Sequence, residues 1–152
     1  MSKSIFHAVA GTAAMLIIAT FWTSTLVSEL FLGHAATAAV KHAIASYGLI
    51  ALVIMMAATG GTGFSLGKER KGRLLEGKKK RMPFIAANGI LIMIPSALFL
   101  NYKAALGEFD ALFYSVQMLE LMVGLVQLTL MGMNFRDGLK LAGRLRPKQA
   151  KL

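Results

Sequence analysis

Residues 111–134 read ALFYSVQMLELMVGLVQLTLMGMN. Glu120 is the one formal charge in those 24 residues. Gln117, Glu120, Gly124, Gln127, Met131 and Asn134 recur at alternating spacings of three and four. On a helix that spacing draws one stripe down one face, and the other faces are Leu, Met, Val and Phe. Hydrocarbon offers a polar group no water to pair with, so the stripe is expected to face other protein. The run therefore predicts one helix of a multi-helix membrane bundle.

Three further apolar runs lie upstream. Ile5–Ser28 and Ile44–Leu66 carry no formal charge, and Phe84–Leu100 is shorter and contains Asn88 and Pro95. Runs of about 20 apolar residues span a hydrocarbon core about 30 Å thick. The first is too long, and lacks the small-residue cleavage site, for a signal peptide. The predicted helices are 5–32, 43–66, 84–101 and 110–135. They are joined by a first turn at Leu30–Lys41, a basic loop at 67–83 and a turn at Asn101–Asp110, with a basic tail at 136–152. Pro95 is expected to kink the third helix, because proline lacks a backbone donor and displaces the carbonyl four residues back, here Leu91.

The whole chain fits that pattern. Of 152 residues 56% are hydrophobic and 16% charged, against about a quarter charged in soluble domains, and the mean hydropathy is +0.61. The length suits one domain, 1–152. Cysteine is absent, which excludes thiolate metal sites, iron–sulfur clusters and a cysteine nucleophile. A net charge of +10 would suggest nucleic acid in a soluble protein. Here the basic residues sit in blocks between apolar runs, so membrane orientation explains them and no nucleic-acid partner is expected. Lys3, eight residues of 67–83 and six of the tail fall on one side, and only Lys41 and Lys103 on the other. The expected fold is all-α: an integral membrane four-helix bundle with both termini and the 67–83 loop cytoplasmic. The basic blocks would also attract anionic lipid headgroups.

Four constellations could carry chemistry. Glu120 lies about 13 Å into its helix, where a carboxylate must be paired, hydrated or protonated. It reads either as a proton site, a ligand-binding carboxylate or a hydrogen-bond partner to the groups around a cofactor, or as a structural acid bonded to Gln117 or to Thr20, Thr23 or Ser24. His34 and His42 flank the first turn and could together hold haem b, copper or zinc, with Glu29 as a third ligand or orienting group. They read more simply as ordinary interfacial histidines, and His7 stands alone at the opposite end. Asn134, Arg136 and Asp137 form a polar group where the last helix ends, with Asp137 paired to a loop Arg or Lys and Asn88 nearby. Met118 and Met122 share a helical turn, which suits core filling better than a soft metal. Gln127 completes the buried polar set. No phosphate loop, HExxH pair or nucleophile–base pair is present.

The segments KKKRMPFIAANGILIMIPSALFL, GEFDALFYSVQMLEL and GMNFRDGLKL resemble small bacterial four-helix inner-membrane proteins, over residues 68–144. That resemblance implies a bacterial inner-membrane location and no particular reaction. FHAVAGTAAM is similar to the first helix of HemJ-type and CopD-like haem-linked proteins, which implies His7 as a haem ligand. MAPEG enzymes share the size, four helices and high pI, but not the charged second helix. Three functions follow as expectations. The first is a haem-binding electron-transfer module or non-catalytic subunit of a larger membrane complex. The second is an enzyme on a lipid-soluble substrate, of the haem-biosynthesis or MAPEG kind. The third is a small transporter or channel whose stripe lines a pore between copies.

Overall fold

The computed structural model describes residues 2–69 and 72–143. The rest of the expected basic loop and tail, Arg70, Lys71 and 144–152, lies outside the described residues, as does Met1. The described residues are all-helical, with no strand. Four helices are long and apolar enough to cross a membrane: α1 Lys3–Leu32, α2 His34–Lys68, α3 Arg73–Ala105 and α4 Ala111–Leu141. They run up and down, α1 packing on α2 and α4, and α3 packing on α4. Lys3, the α2–α3 connection and the end of α4 share one end, the basic end. The α1–α2 and α3–α4 turns make the far end.

The helices outrun the apolar segments. The expected first turn, Leu30–Lys41, shrinks to Gly33, whose φ of 79° suits a residue without a Cβ. HAATAAVKHA is rich in alanine, the strongest helix former, and simply begins α2 early. Most of the expected 67–83 loop is likewise helical: RLLEGKKKR consists largely of good helix formers, so charge ends the apolar run without ending the helix. Asp110 caps α4, its carboxylate accepting from Phe113 N at 2.9 Å.

Among the described residues three turns are π-helical: Ser28–Leu32 ends α1, and Ile44–Gly48 and Gly89–Met93 interrupt α2 and α3. The last ends two residues before Pro95. Leu91, whose carbonyl loses its partner to the proline, lies inside that turn, and Ile94 N bonds Gly89 O, five residues back instead of four. The missing donor is absorbed by a change of helical register, one of the recognised ways a helix accommodates proline.

Burial is inverted relative to a soluble domain. Among the described residues eleven polar or charged side chains are buried against ten hydrophobic ones. Large apolar residues such as Phe31 (76% exposed), Leu91 (72%) and Phe64 (71%) cover the outside. The hydrophobic contacts form two clusters. Ala14, Ile18, Ile85 and Met131 pack mid-bundle, and Leu100, Ala104 and Phe113 pack toward the far end.

Candidate functional site: a layered polar interior beside an apolar cavity

The buried face of α4 comprises Phe113, Gln117, Glu120, Gly124, Gln127, Met131, Asn134 and Asp137. Glu120, Gln127 and Asn134 are seven residues apart, so each recurs on the same face and meets its partners at a different level. The three levels divide the bundle into three polar layers.

The first layer is ionic. Lys41 Nζ donates to Glu120 Oε2 at 2.5 Å and to Thr25 Oγ1 at 3.4 Å. Gln117 Nε2 donates to the same Glu120 oxygen at 3.3 Å. The geometry follows from the topology. Lys41 is seven residues into α2, Glu120 nine into α4, and Thr25 seven before the end of α1. All three therefore lie about 10–13 Å below the far end. The Lys41 side chain is fully enclosed. A buried ammonium is tolerated only when paired, and Glu120 is that pair. None of the hydroxyls expected beside Glu120 reaches it: Thr20 donates to Leu16 O, Ser24 donates to Phe21 O, and Thr23 is exposed. Glu29 Oε1 and Gln117 Oε1 are enclosed with no partner among the described residues, each a cost of about 1–3 kcal/mol unless a water reaches it.

The second layer is an amide pair. Asn88 Nδ2 donates to Gln127 Oε1 at 2.9 Å, and Gln127 Nε2 donates to Ile85 O at 3.1 Å, tying α3 to α4. The third layer closes the basic end. Arg81 Nη1 donates to Asn134 Oδ1 at 2.9 Å and to Asp137 Oδ2 at 2.8 Å. Arg136 is exposed and reaches Asp137 only at 4.0 Å.

The histidines are dispersed. His34 and His42 belong to one continuous helix. Eight residues separate them by about 12 Å along its axis, so the turn that was to fold them onto one haem or metal does not exist. His34 Nε2 meets Tyr114 Oη at 3.2 Å, and its ring stacks on Phe109 at 4.1 Å. His42 is exposed and touches Ser46 on its own helix. His7 Nδ1 lies 3.1 Å from both Thr59 O and Thr62 Oγ1, joining α1 to α2 near the basic end. Glu29 lies within electrostatic reach of Lys41 as well as His34. No group of three or more metal-ligating side chains occurs among the described residues, and haem and electron transfer find no supporting geometry. Met118 and Met122 point outward, 59% and 64% exposed, and fill no core.

Beside the ionic and amide layers lies a cavity of about 320 Å³. All four helices line it. Phe21, Trp22 and Thr25 come from α1, Ile44 to Gly60 from α2, Met82 to Ala97 from α3, and Glu120, Leu121 and Gln127 from α4. Val53 and Ile90 line it and are also 49% and 63% exposed, so it opens sideways between α2 and α3. Trp22 Nε1 donates to Leu121 O at 2.9 Å. The indole lies flush on α4 because residue 124 is glycine, where a Cβ would come within 3.0 Å of the ring.

Sequence reasoning overlooked Lys41, Thr25, Arg81 and Trp22. Thr37, Lys41 and Ile44, all buried, do carry a four-then-three spacing. That spacing was the available signal, hidden by reading the segment as a turn. Comparison with protein-family models, with curated proteins and with solved structures finds no match.

Proposed function

We propose that this chain is a multi-pass protein of the bacterial inner membrane that binds a lipid-soluble molecule in the cavity between its helices. The inverted burial supports insertion: the outside suits acyl chains, and the polar groups pair with one another within. The basic end supports a cytoplasmic position for both termini and the 67–83 segment. Of the two basic residues expected opposite, Lys41 is consumed by Glu120, and Lys103 is held by Glu108 at 2.5 Å and Asp110 at 2.6 Å.

The observation that carries the binding reading is the cavity itself. Its volume matches small-molecule sites, its walls are apolar, and its opening lies between exposed apolar side chains, Val53 and Ile90. Binding of this kind serves either a subunit of a larger complex or an enzyme acting on a lipid-soluble substrate. The pore reading is weaker, because the α4 stripe is occupied by partners in its own chain.

Trp22, the sole tryptophan, lines the cavity and reports on it directly. In reconstituted vesicles, 1-bromodecane is expected to quench Trp22 with a saturable component above the linear background. Gly89→Phe should remove that component, since a Cβ at Gly89 meets only Gln127 Nε2, at 3.9 Å, and the new ring would fill the middle of the cavity. Purely linear quenching of the unmodified protein would refute the binding site.

A further inference from the structure

The cavity is elongated. Its α2 wall runs from Ile44 to Gly60, sixteen residue steps, or about 24 Å of helix. Its α3 wall runs from Met82 to Ala97. A volume of about 320 Å³ spread over that length suits one extended chain and not a fused-ring body.

The two ends differ in chemistry. Gly60 and Met82 close the end nearer the basic side with apolar surface. Glu120 and Thr25 stand at the other end. Glu120 Oε2 is taken by Lys41 and Gln117. Oε1 accepts no hydrogen bond among the described residues, yet it is not among the enclosed unpartnered atoms. The Glu120 side chain retains 11% exposure while it lines the cavity, so the open part of the carboxylate is Oε1. Thr25 Oγ1 accepts from Lys41 and donates to no group among the described residues, which leaves its proton unused. Glu120 Oε2 and Thr25 Oγ1 accept from the same Lys41 ammonium, which sets the carboxylate and the threonine hydroxyl side by side.

We infer that the cavity takes a single-chain lipid ending in a hydroxyl group, with the hydroxyl at Glu120 and Thr25 and the chain running toward Gly60 and Met82. This rests on the binding function proposed above. A hydroxyl is the group that donates to a carboxylate and accepts from a threonine at once. A ketone, ester or ether would bring lone pairs against the carboxylate, and an anionic head would bring a like charge. A bare alkyl end would leave Oε1 and the Thr25 proton desolvated and unpaired.

The test is competition against 1-bromodecane for Trp22 in vesicles, using 1-decanol, its methyl ether and decane at matched membrane concentrations. Decanol is expected to relieve the saturable quenching at about one-tenth the concentration the ether needs, the discrimination a charge-assisted hydrogen bond supplies. The double variant Lys41→Met/Glu120→Leu should keep saturable bromodecane quenching and lose the preference for alcohol. Should it not retain the cavity, Thr25→Val serves instead, with the preference reduced several-fold. Equal potency of decanol and its ether on the unmodified protein would overturn the hydroxyl assignment while the cavity stands. So would a preference that survives undiminished in the variant. No saturable quenching by any probe would remove the cavity reading itself, and this inference with it.

Discussion

At the scale of the residue, the decisive contact is Lys41 to Glu120. Two charges in an apolar bundle are tolerable together and costly apart, because removing one strands the other without solvent. Lys41→Met alone and Glu120→Leu alone are each expected to lower stability by about 3–5 kcal/mol. The double variant should return close to the parent, since it leaves no charge behind. Denaturant unfolding in mixed micelles, followed by far-UV circular dichroism, measures all three. A double variant as unstable as the worse single one would show that the pair is not the source of the cost. Glu120→Gln preserves shape, yet it too should destabilise, because the amide cannot neutralise Lys41. A lone structural acid would tolerate that change.

At the scale of the element, the α3–α4 turn is held by Lys103, which bridges Glu108 and Asp110, and by the Asp110 cap on Phe113 N. The Lys103 hydrogen bond first, and the Phe113 amide second, hold the Asp110 carboxyl below its ordinary value of 3.8. A carboxyl depressed in the folded state stabilises it above the unfolded value, and that contribution is lost as pH falls through the lower, folded value. The turn should therefore be indifferent to pH near neutrality and loosen below about pH 4. Amide exchange at Phe113, corrected for its intrinsic pH dependence, is expected to accelerate in that range. Asp110→Asn keeps a capping oxygen without the charge, so it should abolish the pH dependence. An acid-induced loosening that persists in that variant would assign the effect elsewhere.

At the scale of the whole molecule, the proposed orientation follows from where unpaired positive charge remains. The basic end concentrates lysine and arginine, while the far end presents a lysine already neutralised by two carboxylates. The chain has no cysteine, so single cysteines report topology without interference. With a membrane-impermeant maleimide on intact spheroplasts, Leu106→Cys is expected to label and Lys79→Cys only after lysis. The reverse pattern would invert the assignment.

What the amino-acid sequence determined by itself was the number and polarity of the helices. Four long apolar runs require helices wherever backbone groups cannot reach water, and the three–four spacing from Gln117 to Asn134 marks the side of α4 that turns inward. All six of those residues are buried. Helix ends were less legible, because apolar composition and helical propensity stop at different places. Alanines carry α2 back to His34, and lysines carry α3 back to Arg73. Only the tertiary structure decided what the inward stripe touches. Glu120 and Lys41 are 79 residues apart, and their meeting depends on α2 beginning at His34 and on α2 and α4 running the same way from the far end. A lysine read as a turn residue thereby became the most enclosed charge in the bundle. The histidines read as partners became separate, because the segment between them is rigid helix. A pairing between distant helices leaves no local pattern in the chain, and the cavity beside it belongs to all four helices and to no one stretch of sequence.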